Sequence, residues 1–129
     1  MKALDTPVLL ALLHDAPSAK ELLKSLRGEE LATTELNLYE LRRLAGDSPR
    51  AERNRRENAL ARLRRRMTVL PITAEAVTEA GRLLPPNDRG AALAPLVWGT
   101  LAAAGCGEWI TTRAYAPSKG KLPFKVRIV

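Results

Sequence analysis

Short apolar runs separated by longer stretches of helical periodicity constrain this chain more than any other feature. Met1 to Leu4, Leu31 to Thr34, Met67 to Ile72, Trp109 to Thr112 and Phe124 to Val129 read as five short strands. Pro7 suits the first turn of a helix through Leu13, because a proline there gives up an amide with no helical partner. Leu22, Leu23 and Leu26 share a face of a second helix, with Ser18 as its N-cap and Gly28 as its stop. Leu36, Leu38, Leu41 and Leu44 mark a third, closed by Gly46 and the breakers Asp47-Ser48-Pro49. Arg50 to Arg66 is a fourth. Thr73 caps a fifth that ends near Leu84, before Pro85-Pro86, and the alanine-rich Ala91 to Ala104 is a sixth. Strands that alternate with helices in this way build an α/β three-layer sandwich, with a mostly parallel, roughly five-stranded sheet flanked by helices.

A chain of 129 residues has room for one such domain, spanning 1–129. Its formal charge of +7 is almost entirely local: eight arginines and two acids between Arg50 and Arg66 carry +6 of it. Arg62, Arg64, Arg65 and Arg66 have no acid at helical spacing other than the more distant Glu57, so the field is uncompensated within the helix. Leu60 and Leu63 supply its buried contacts. Arg55, Arg56, Arg62, Arg65 and Arg66 are therefore candidate contacts for nucleic acid, or for an acidic chain. One cysteine excludes an internal disulfide, and the apolar runs are too short to span a bilayer. Met1 onward does not read as a signal peptide, since Asp5 sits at the head of the apolar run and no small-residue cleavage site follows it, and a cytoplasmic protein is expected. His14, alone and at a helix C-terminus, reads as structural; Cys106, between two glycines, reads as inert and buried; Trp98 and Trp109 fill core or interface.

Open α/β sheets place their sites beyond the carboxyl ends of the strands. Asp5 ends the first strand there, and Glu40 lies on the helix after the second. With them stand Leu4-Asp5-Thr6-Pro7-Val8-Leu9-Leu10-Ala11-Leu12-Leu13, Ala32-Thr33-Thr34-Glu35-Leu36-Asn37-Leu38-Tyr39-Glu40-Leu41, Val69-Leu70-Pro71-Ile72 and Ile110-Thr111-Thr112-Arg113. In these stretches and their order the chain resembles the PIN-domain family, in particular the VapC-type toxins of toxin–antitoxin pairs.

The resemblance implies a PIN-like sandwich and a metal-dependent endoribonuclease, a hydrolase of RNA using Mg²⁺ or Mn²⁺. It further implies a homodimer and a small antitoxin protein as partner. Carried over by position, Asp5 and Glu40 are the catalytic, metal-holding acids, supported by Thr6 and Thr112. The family's third acid falls at Ala94 and a fourth polar position at Ala114, so half of the usual set is alanine; Asp88, just before Ala94, is the candidate substitute ligand. Glu35, five residues before Glu40, points about 140° away from it at ~100° per residue, as an N-terminal helix charge. The competing expectation is a catalytically inactive PIN-like domain that binds RNA, or an acidic protein partner, through the Arg50–Arg66 helix.

Overall fold

The computed structural model of the chain describes residues 1–45, 49–84, 93–117 and 121–129. Its elements run β1 (Lys2–Leu4), α1 (Thr6–Leu13), α2 (Pro17–Ser25), β2 (Leu31–Thr34), α3 (Glu35–Ala45), α4 (Arg50–Arg66), β3 (Thr68–Leu70), α5 (Ala74–Leu83), α6 (Ala94–Ala103), β4 (Glu108–Thr111) and β5 (Lys125–Ile128). The sheet has the order β3-β2-β1-β4-β5. Every pairing is parallel, with Ala3 opposite both Ala32 and Trp109. Successive strands first build outward from β1 on one side, then on the other, so the order reverses between β1 and β4. Ligands bind at such a reversal, beyond the carboxyl ends of the strands.

Side chains alternate across the sheet and separate two cores. Ala3, Ala32 and Trp109 face Val97, Trp98 and Leu101 of α6, together with Phe124. Leu4 and Ile110 face Val8 and Leu9 of α1, Leu22 of α2, Leu38 and Leu41 of α3, and Leu60 of α4. The two indoles meet edge to face, 6.2 Å between centroids, so both tryptophans belong to the core. Cys106 is a free, buried thiol raised above its usual pKa by burial.

Element ends differ from the sequence reading for local reasons. α2 starts at Pro17, with Ala16 rather than Ser18 in the cap position, because a proline fits the first helical turn without loss. β3 stops before Pro71, which has no amide for the ladder, and β4 begins and ends one residue early. The Thr73 cap is as expected: its hydroxyl accepts from the Ala76 amide at 3.0 Å. Gly46 and the residues between α5 and α6 up to 92 lie outside the described residues.

Two glycines control α6. Gly105, at φ +70°, ends it: the Gly105 amide donates to Ala102 O and the Cys106 amide to Leu101 O, turning the chain directly into β4. Gly99 lets α6 press on α5; a Cβ there would lie 2.5 Å from Ala80 N and 2.9 Å from Ala80 Cα. Gly99→Ala should therefore destabilise by about 1–3 kcal/mol in urea unfolding, overpacking outweighing the better helix propensity of alanine. Gly81→Ala on α5, which meets nothing within 4 Å, is the control and should be neutral or stabilising. Equal behaviour of the two variants would contradict this packing.

Candidate active site

Asp5 leaves β1 and occupies the N-cap position of α1, yet its carboxylate does not cap that helix. It turns instead toward β4 and α3. Oδ2 accepts from the Thr111 hydroxyl at 2.6 Å and Oδ1 from Asn37 Nδ2 at 2.9 Å. The side chain is 4% exposed. Asn37 is the hub. Its amide N–H donates to the Thr34 hydroxyl at 3.1 Å, while its Oδ1 accepts from Thr34 N and Oγ1 at 3.2 and 2.7 Å. Thr34 and Asn37 thus cap the start of α3 reciprocally, with asparagine in the place where glutamate or glutamine is usual. Nδ2 then remains free to donate to Asp5 and, at 3.0 Å, to the Thr6 hydroxyl. The Thr6 hydroxyl in turn donates to Glu40 Oε1 at 3.3 Å. One turn of helix separates Asn37 from Glu40, so both project from one face of α3 toward Asp5.

Burial pushes the Asp5 carboxyl above its ordinary range, while the bonds from Thr111, the Thr6 amide and Asn37 pull it back toward the anion. Glu40 is half-buried; desolvation and then the negative charge of Asp5 push it up, against the Thr6 hydroxyl and the Arg43 guanidinium. Neither acid has an ion-pair partner within 4 Å among the described residues. Two carboxylates that repel one another, with a hydroxyl between them, form an oxygen-only donor set with no direct ion pair among the described residues, Arg43 acting on Glu40 only from a distance. Among the described residues no third acid, histidine or cysteine joins them.

A family model described as PIN domain matches residues 2–95. The chain belongs to the PIN-domain family. The PIN fold recurs in a chain of the crystal structure of VapBC2 from Rickettsia felis bound to a DNA fragment from their promoter. That likeness has a TM-score of 0.72 at 16% identity and covers 98% of this chain and 97% of that one. A chain of a toxin–antitoxin complex from Klebsiella pneumoniae is similar with a TM-score of 0.64 at 18% identity, over 97% and 99% of the two chains. No curated protein matches the sequence significantly.

Within this PIN domain the structure brings Asp5, Thr6 and Glu40 together. The hydroxyl that reaches Asp5 from β4 is that of Thr111; Thr112 lies one residue beyond the strand. Ala94 opens α6, and Ala114 sits exposed in the turn after β4. Asp88 lies outside the described residues. Asn37 escaped the sequence reading, because an asparagine inside a helix looks solvated; the signal was its spacing, three residues after Thr34 and three before Glu40.

The arginine helix is less uncompensated than its own sequence suggests. Arg64 forms a two-pronged bridge to Glu35 at 2.8 Å, and Arg42 of α3 forms one to Glu57 at 3.1 Å. These bridges hold both glutamates below the usual carboxylate range. They share one antiparallel register, which sets α4 alongside the helix that carries Asn37 and Glu40. Arg55, Arg56 and Arg62 line a groove of about 800 Å³ over Leu10, Leu13 and Leu41. Arg62 and Arg66 line a second beside α2, and Arg65 stands on the exposed side. No described helix is long and apolar enough to cross a membrane.

Proposed function

We propose that this PIN domain is a metal-dependent endoribonuclease of the toxin kind, cutting RNA at the Asp5–Glu40 centre. The observation that carries this reading is the chain of bonds from Thr111 through Asp5, Asn37 and Thr6 to Glu40, which fixes two carboxylates without a direct ion-pair partner at the reversal of strand order. Hard oxygen donors suit Mg²⁺ or Mn²⁺, and Mg²⁺ needs only one or two carboxylates if it keeps waters and meets substrate phosphate. Asp5 and Glu40 are the residues that would hold it. Such an ion lowers the pKa of bound water and neutralises charge on a phosphate. The protein's own part is positional: Asn37 and Thr111 aim Asp5, and Thr6 aims Glu40.

The partner in this reading is a small antitoxin. The similar structures are toxin–antitoxin complexes, and the grooves along α4 pair an apolar floor with arginine walls, which suits an acidic amphipathic segment. A homodimer belongs to the same reading.

A second reading rests on one observation, the absence of a third acid among the described residues: a domain that binds RNA or an acidic chain through α4 and does not cut. RNA cleavage by the purified chain decides between them. Cleavage with Mg²⁺ or Mn²⁺ that stops in excess EDTA is the expected result. RNA binding without cleavage, under either metal, is the result of the second reading.

A further inference from the structure

Trp109 lies on the face of the sheet that carries Asp5, and its indole N–H is a buried donor. Trp109 pairs with Ala3 across β1 and β4, and the Asp5 amide donates to Ile110 O at 3.0 Å. Asp5 keeps extended backbone angles, φ −84° and ψ 166°, so the alternation of β1 continues through it. Ala3 and Asp5 therefore share a face with Trp109 and Thr111, and the Thr111 hydroxyl reaches the carboxylate from that face. Trp109 is 2% exposed, and its ring is packed edge to face against Trp98 at 6.2 Å and Phe124 at 6.3 Å. The indole N–H groups of Trp98 and Trp109 are both buried, and neither completes a hydrogen bond among the described residues. They differ in what they face. Against the burial that raises the Asp5 carboxyl, the Trp109 indole joins Thr111, the Thr6 amide and Asn37 in favouring the anion, acting from outside full hydrogen-bond geometry; Trp98 takes no part.

We propose that Trp109 is a positioning residue for Asp5, its indole N–H acting as a third side-chain donor that steadies the carboxylate from the α6 side of the sheet. This deepens the metal-centre reading and rests on it for its consequence, though not for the contact itself. A buried N–H without a partner is rare because it is costly, and a carboxylate on the same face is the acceptor that relieves it. The chemistry suits the task. An indole is a donor only and carries no charge, so it can orient a carboxylate without cancelling the negative charge that attracts a divalent ion. A lysine or arginine in the same place would orient Asp5 and repel the metal. Groups that hold a ligand in this way contribute to metal affinity without touching the ion.

The test compares the two tryptophans on the full chain. Trp109→Phe and Trp98→Phe each keep an aromatic ring in the core and remove one indole N–H. Trp109→Phe should weaken Mn²⁺ binding, read by electron paramagnetic resonance at neutral pH, by roughly 10-fold or more, while Trp98→Phe should bind Mn²⁺ as wild type does. A second readout needs no metal. In ¹⁵N-labelled protein in EDTA, the chain's two indole N–H signals are told apart by the one that Trp98→Phe removes. Asp5→Asn, which takes the charge from the acceptor, should move the Trp109 signal upfield and the Trp98 signal less. The proposal is overturned if Trp109→Phe binds Mn²⁺ like wild type, if Trp98→Phe loses as much, or if the Trp109 signal does not respond to Asp5→Asn. A wild type that takes up no Mn²⁺ but whose Trp109 signal moves with Asp5→Asn would sink the metal-centre reading and uphold Trp109 as a donor to Asp5.

Discussion

Asp5→Asn should give a protein that melts higher than wild type in EDTA and no longer cuts RNA. Asp5 has a folded-state pKa raised above its ordinary value, first by burial. The folded state therefore holds that proton to higher pH than the unfolded chain does, and stability falls as pH rises through the interval between the two values. Asparagine removes the buried charge and its repulsion of Glu40. It keeps the bond network, because its carbonyl oxygen can accept from Asn37 while the Thr111 hydroxyl rotates to accept from its amide. Below the ordinary carboxylate range both proteins are uncharged at this position and should melt alike; above the raised value the variant gains in full. A rise of a few degrees at neutral pH is expected, since ~1 kcal/mol corresponds to roughly 3–6 °C for a chain of this size. Cleavage should fall by about 10³-fold or more, as when a group that holds the reacting centre is removed. Calorimetry in EDTA from about pH 3 to about pH 8 checks the first part; a variant that melts lower at neutral pH would show that Asp5 is a structural anchor.

Asn37→Ala is expected to have the largest effect on stability of any substitution in the site. Asn37 is 1% exposed and uses its side chain fully: it accepts twice from Thr34 and donates to Asp5 and Thr6. Alanine leaves the Thr34 amide without its partner, removes a donor from the buried Asp5 carboxylate and weakens the cap of α3. Together these cost about 2–4 kcal/mol in urea unfolding. Asn37→Asp separates the two roles. It preserves the acceptor facing Thr34 and places a second carboxylate against Asp5, so its loss should be greater at neutral pH than in acid, where one of the pair is protonated. A loss independent of pH would mean that the cap, and not the contact with Asp5, makes Asn37 necessary.

The five strands and six helices were legible because an apolar run too short for a helix and a leucine stripe at helical spacing are local signals. Asp5 was legible for the same reason, as an acid at the end of the first such run. What escaped are bonds between residues far apart in sequence. Thr111 reaches Asp5 across 106 residues, from the last position of a strand that ends one residue earlier than its sequence suggests. Glu35 looked like a helix-start charge, yet its carboxylate meets Arg64 from 29 residues away. A search for acids within α4 alone could not find it. Asn37 was hidden by its type: asparagine in a helix is most often solvated, and only the three-dimensional meeting of β1, α1 and α3 turns it into a buried hub.

The most direct measurement of the central claim is the binding of Mn²⁺, followed by electron paramagnetic resonance on the full chain at neutral pH. Wild type should take up Mn²⁺ in a saturable manner, and both Asp5→Asn and Glu40→Gln should lose that uptake while remaining folded. Saturable binding that survives in both variants, or none in wild type under conditions where it cleaves RNA, would contradict a metal centre built on Asp5 and Glu40.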